Sequence, residues 1–180
     1  MGKLYSSIDQ ELKSWIEKQK VFFVATAPLS VSGHVNCSPK GLDSFRVMGP
    51  NEVVYQDMTG SGIETISHIR ENKRIVILFC AFDGPPKIVR LYGEGEVVIH
   101  GDPGYEQFSS LFPKRLGTRA FIQIHLNRIS DSCGYGVPLY EFKKDRDVMD
   151  KWAAAKGEEG IIEYRQLKNK ESIDGIKGLF

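Results

Sequence analysis

Short runs of β-branched and aromatic residues recur along this chain, and glycine, proline or asparagine cuts off each one within a few residues. Strands joined by such short turns pair antiparallel, because a parallel crossover needs a dozen or more connecting residues. Residues 21–27 (VFFVATA) form the first run, closed by Pro28. Residues 34–39, 45–48 and 52–57 follow. Residues 74–82 are nearly all apolar, as in a strand covered on both faces. Asp83-Gly84-Pro85-Pro86 then turns the chain. Residues 87–100 read as a long strand with a bend or bulge at Gly93 and Gly95, and residues 120–129 alternate apolar and polar.

Helical spacing interrupts these runs. Ile8, Leu12, Trp15 and Ile16 share one face of a helix over residues 7–19, which Ser7 can cap, with Gln10 three positions on. Ile63, Ile66 and Ile69 mark a second helix over residues 63–71, and Asp102-Pro103 opens a third that ends near Pro113. Residues 145–168 read as two short helices, and the tail from Asn169 is polar and glycine-rich. The expected fold is mainly β (α+β): a closed or half-closed antiparallel barrel of about six strands with peripheral helices. Residues 1–130 form the barrel, and residues 131–180 form a loop and helical extension packed on it.

Composition removes several functions. Among 180 residues, Lys+Arg number 24 and Asp+Glu 23, so no basic excess exists to hold nucleic acid by bulk charge. The apolar runs fall far short of the ~20 residues that span a bilayer, so no membrane partner is expected. The N-terminus carries no apolar signal core, and Cys37, Cys80 and Cys133 are too few and scattered for a disulfide framework, which together suggest the cytoplasm. Cys133 has no adjacent histidine and reads as a small buried residue. The four histidines have no metal-ligand spacing, and no metal site is expected.

Four segments can carry chemistry. In residues 53–65 a strand runs into Gly60-Ser61-Gly62 and then a helix, whose free N–H groups suit an anion, with Ser61 and Thr65 as further donors. The alternative is that the glycines only turn the chain and Ser61 caps the helix. In residues 34–41, Lys40 follows Pro39 beside Gly41; it either completes that anion site or is a solvated turn lysine. Arg90 interrupts an apolar strand, so it faces either a polar ligand or open solvent. Residues 130–138 place Cys133 and Tyr135 in a glycine-rich loop that lines a pocket or is purely structural.

The second half of this pattern resembles a known family. Val53-Val54-Tyr55-Gln56-Asp57, then Gly60-Ser61, then a helix closing with Glu71-Asn72-Lys73-Arg74 and leading into an apolar strand, is similar to the pyridoxamine 5′-phosphate oxidase-like FMN-binding split barrels. Residues 89–93 (VRLYG) look like the family's next strand, and residues 36–41 (NCSPKG) like its earlier strand end. The resemblance spans about residues 10 to 130. It implies a six-stranded split barrel and a homodimer with FMN at the seam between two barrels. By motif match Asn36, Ser38, Pro39 and Lys40 would lie along the flavin and its phosphate arm, and Tyr55, Gln56 and Asp57 would edge the ring. Gly60, Ser61, Gly62 and Thr65 would take the phosphate or ribityl chain, with Arg90 as a polar partner.

Two positions depart from the family. The basic pair that follows the serine in pyridoxamine oxidases is Gly62-Ile63 here. The phosphate then falls to Lys40, Thr65, the helix start or a more distant base such as Arg46 or Arg74. Residues 130–180 also lack the family's C-terminal substrate-recognition segment, so pyridoxamine phosphate is not the expected substrate. The function implied is an FMN-dependent oxidoreductase of the related branch with an unassigned substrate. The alternatives are a non-catalytic flavin- or haem-binding protein, and a deazaflavin-dependent reductase.

Overall fold

A computed structural model describes residues 2–180. Its elements in chain order are β1 (Leu4–Tyr5), α1 (Gln10–Lys18), β2 (Phe22–Thr26), β3 (Asn36–Lys40), β4 (Phe45–Gly49), β5 (Glu52–Met58), α2 (Glu64–Asn72), β6 (Arg74–Cys80), β7 (Ile88–Val98), α3 (Tyr105–Ser109), β8 (Thr118–Ser132) and α4 (Val148–Lys168). The strands form one antiparallel sheet in the order β3-β2-β6-β7-β8-β5-β4, with β1 added beside β8. The path does not close on itself; β3 and β4 end it. Among the described residues there are eight strands rather than six. Seven of them correspond to the runs read from the sequence, and the one not read is β1, which has two residues and no readable period.

Alternation sets the inner face. Val24, Tyr55, Ile77, Leu91, Ile122 and Ile124 are buried there. Leu12 and Ile16 of α1 and Ile66 and Ile69 of α2 cover them, each from one helical face. A smaller apolar group, with Val54, Val98 and Phe121 meeting Phe108 and Phe112, lies around α3. The helix caps differ from expectation. α1 begins at Gln10, so Asp9 occupies the cap and its Oδ1 accepts from the Leu12 N–H at 2.8 Å; Ser7 lies too far ahead. α2 begins after Ile63 and has no side-chain cap, so Ser61 does not cap it. The two helices expected near the C-terminus are the halves of α4, which breaks at Gly157, where φ is 69° and ψ 177°. Cys133 is exposed rather than buried, because the chain leaves the sheet at Ser132.

Residues 169–180 run back over α2. Ser67 Oγ donates to the Ile176 carbonyl, Arg70 to the Gly178 carbonyl, and the His34 ring and backbone N–H meet the Asp174 carboxylate at 2.7 and 2.8 Å. Among the described residues no helix is long and apolar enough to cross a membrane.

The β7–β8 register shifts between Tyr92, opposite Arg128, and Gly93, opposite Leu126, so the extra residue is Asn127 of β8 and the bulge lies in the partner strand rather than in the long strand where it was expected. A Cβ on Gly93 would stand 2.3 Å from the His125 carbonyl oxygen on β8. Gly93→Ala is therefore expected to destabilise the fold by about 1–3 kcal/mol in chemical denaturation. Gly49→Ala, where a Cβ meets open space, should stay within about 0.5 kcal/mol.

Candidate functional site

Three strand ends and the C-terminal segment converge on one carboxylate. Asp57, near the end of β5, is fully buried. Its Oδ1 accepts from Lys40 Nζ at 3.1 Å, and its Oδ2 from Arg119 Nε at 2.8 Å and Nη2 at 2.7 Å. Burial alone would raise the Asp57 carboxyl; the charges and hydrogen bonds of Arg119 and Lys40 outweigh it and hold the group below the usual carboxylate range. Arg119 also binds the turn. Its Nη1 donates to the Gly62 carbonyl at 2.9 Å and to Asn169 Oδ1 at 3.0 Å, and Asn169 Nδ2 donates to the Gly60 carbonyl at 2.9 Å. Arg165 of α4 stands next to this group, donating to Thr59 Oγ1 at 2.9 Å and the Thr118 carbonyl at 2.7 Å. Burial, and then the like charge of Arg119, act against its protonated form. Two cations thus bind one carboxylate, and a third stands beside them without touching it.

A second polar group lies along β3. Asn36 and Ser38 alternate with Lys40 on the face that β2 shares through Thr26, Val24 and Phe22. Asn36 Nδ2 donates to Thr65 Oγ1 at 2.9 Å and Thr26 Oγ1 at 3.2 Å, while Asn36 Oδ1 accepts from Ser38 Oγ at 3.0 Å. Thr26 Oγ1 continues the chain to His68 Nδ1 at 3.0 Å. His68 is fully buried, and burial lowers its pKa, which keeps the ring neutral.

The remaining expected residues go elsewhere. Tyr55 is buried in the core, with its ring 5.7 Å from that of Phe22 and no partner for its hydroxyl. Gln56 is buried on the opposite face and donates to Thr118 Oγ1 and the Pro113 carbonyl. Ser61 and Gly62 are exposed. The start of α2 is not a bare anion seat: Glu64 Oε2 comes within 2.6 Å of where a Gly62 Cβ would stand, and Glu64 Oε1 accepts from the Ile173 N–H. Pro39 and Cys37 are exposed on the other side of β3. Arg90 lies on that outer side of the sheet as well, donating to Ser132 Oγ at 3.0 Å, so it does not join Lys40 and Asn36.

Arg119, Asn169 and Arg165 are functional candidates that the sequence did not single out. Arg119 carried a usable signal, a cation one residue before the apolar alternation from Ala120. Beside the cluster opens a cavity of about 560 Å³, between Gly41-Leu42, Thr59-Gly60 and the α4 side chains Met149, Trp152 and Tyr164. Among the described residues no group of three or more His, Cys, Asp or Glu could hold a metal.

Asp57→Asn leaves Lys40 and Arg119 without their counter-ion and is expected to cost about 3–5 kcal/mol of stability at neutral pH. Because the folded-state pKa of Asp57 is depressed, its stabilisation is complete above the unfolded-state value of about 3.9 and is lost as pH falls toward the folded value. Denaturation curves of the two proteins should therefore converge in acid; a gap that stays constant from pH 7 to strongly acidic conditions would contradict this.

The family model described as "Pyridoxamine 5'-phosphate oxidase" matches residues 8–133. The "Pyridoxamine 5'-phosphate oxidase family protein ustO" of Aspergillus flavus is 38% identical over 196 residues, which cover 99% of this chain and 78% of that protein. The crystal structure of HupZ from Group A Streptococcus is similar with a TM-score of 0.53 and 27% identity, over 68% of this chain and 91% of that one. The FAD binding protein of Mycobacterium smegmatis shares the fold, with a TM-score of 0.50 and 14% identity over 72% of this chain and 97% of its own.

Proposed function

The chain belongs to the pyridoxamine 5′-phosphate oxidase family, and on that premise we propose that it is an FMN-dependent oxidoreductase acting as a homodimer. The observation that carries this reading is the excess of positive charge where β3 and β5 end: Lys40, Arg119 and Arg165 against the single carboxylate of Asp57. A dianionic phosphate needs such a counter-charge. Lys40 is the member that can reach a ligand, since 23% of its side chain is exposed at the rim of an edge strand while Arg119 is 4% exposed. The start of α2 fits the phosphate poorly, because Glu64 brings negative charge there. The residues therefore suit FMN with Lys40, rather than the helix start, meeting the phosphate.

When bound, FMN supplies the two-electron chemistry. The protein's part is to bind and orient. Asn36 and Ser38 present a rigid polar edge, because Thr65 and Thr26 fix the Asn36 amide. Thr65 therefore acts through Asn36, and the exposed Ser61 and Gly62 border the ribityl chain. Burial of Asp57 behind Lys40 keeps the carboxylate from repelling the phosphate.

The outer face of β2, β6 and β7 supports the dimer. Phe23, Leu78 and Arg90 lie in register there, as do Ala25, Val76 and Tyr92, and all six are half-buried. An apolar patch of this kind, with one arginine at its β7 side, suits a second copy of the same surface.

Titration with FMN, followed by flavin fluorescence, should saturate at one per chain, and Lys40→Ala should weaken binding by roughly 1–3 kcal/mol while Lys40→Arg retains most of it. Anaerobic NADH or NADPH should bleach the bound flavin, and air should restore it; no reduction by either donor would point to a binding protein instead. Leu78→Lys is expected to shift sedimentation from dimer to monomer, and a wild-type chain that sediments as a monomer would remove the dimer from the proposal.

A further inference from the structure

The cavity beside the Asp57 cluster is built largely from residues beyond the segment that matches the family model. One wall is the rim of the sheet, Gly41-Leu42 and Thr59-Gly60. The other is α4. The break at Gly157 folds its two halves so that the Trp152 and Tyr164 rings meet edge to face, with centroids 5.0 Å apart and planes at 79°. Lys156 Nζ lies 5.5 and 5.3 Å from the two ring centroids and braces the pair. Met149 and Val148 extend this apolar wall. Leu42, opposite, is held at φ 61°, a left-handed conformation that a leucine rarely adopts and that the surrounding structure must impose.

The charge along the lining is positive. Lys144 and Arg146 lie there, opposed by Asp145 alone. Behind Thr59 stands Arg165, which has no carboxylate partner among the described residues, since both of its hydrogen bonds go to neutral oxygens. An aromatic-walled, largely apolar cavity of about 560 Å³, lined by Lys144 and Arg146 against Asp145 and backed by Arg165 behind Thr59, is complementary to a flat apolar body that carries one negative charge.

We propose that this cavity is the substrate pocket, formed within one chain by the folded α4, and that it takes a planar aromatic carboxylate. This rests on the flavin reading above: the pocket opens at Gly41 and Gly60, next to the Lys40 rim assigned to FMN, so a ligand in it borders the cofactor. Specificity would then lie in α4 and in residues 144–146.

Calorimetric titration of the full chain with 2-naphthoate and with its neutral counterpart 2-naphthalenemethanol tests the pocket. The carboxylate should bind one per chain and about tenfold more tightly than the alcohol, the ratio that ~1.4 kcal/mol of charge-assisted bonding gives. The paired change Lys144→Gln, Arg146→Gln, at exposed positions that leave the fold intact, should erase that preference while the alcohol still binds. Trp152→Ala should weaken both ligands at least about tenfold. Equal affinity for the two probes, or indifference to both sets of variants, would overturn the proposal. FMN titration of the same variants separates the two readings. Unchanged FMN affinity supports a separate substrate pocket. Competition between FMN and naphthoate for one site would overturn the substrate assignment and leave the flavin reading standing. Selective naphthoate binding by a chain that takes up no FMN would overturn both the flavin reading and the role of substrate.

Discussion

A carboxylate shut away from water must find its counter-charge inside the protein, and the rim of this sheet is organised around that requirement. Asp57 receives Lys40 from 17 residues before it and Arg119 from 62 residues after it. Neither cation is local, so the three strands β3, β5 and β8 must be in place before the group is satisfied. A buried charge without its partners costs several kcal/mol, so the cluster penalises other strand arrangements. The constraint spreads outward. Arg119 holds the Gly62 carbonyl and Asn169, and Asn169 holds the Gly60 carbonyl. The turn before α2 is thereby held from behind by side chains of β8 and the C-terminal segment.

The sheet's two faces differ in chemistry at this end. On the inner face of β3, polar residues occupy alternate positions and end at Lys40; on its outer face, the neighbouring strands offer apolar side chains and Arg90. A period of two allows both, because successive residues of a strand point to opposite sides. The C-terminal segment adds what the sheet cannot. It covers α2, contributes Asn169 and Arg165 to the charged cluster, and supplies the aromatic wall of the cavity.

The strands were legible because apolar alternation and turn residues are local signals. The break within α4 was legible for the same reason, whereas the bulge was expected at Gly93 of β7 and its extra residue is Asn127 of β8. Boundaries were less so. Ser7 was read as the cap of α1, and Asp9 takes that place because the helix begins at Gln10. Arg90 and Arg119 carry one signal, a cation in an apolar strand, yet one bonds a serine on the outer face and the other is buried on Asp57. Which of them neutralises a carboxylate depends on what the sheet brings opposite, and no spacing along the chain encodes that.

By itself the sequence determined an antiparallel sheet with helices at its margin and offered Lys40 and the Gly60-Ser61-Gly62 turn as candidates, because residue type and period act over a few neighbours; Asp57 became a candidate through the resemblance to a family. Only the tertiary structure decided that Lys40 and Asp57 are partners, that Arg119, Asn169 and Arg165 complete the group, and that α4 walls the adjoining cavity. Those pairings join residues tens of positions apart, and they exist only once chain packing has removed the water that would otherwise solvate each charge.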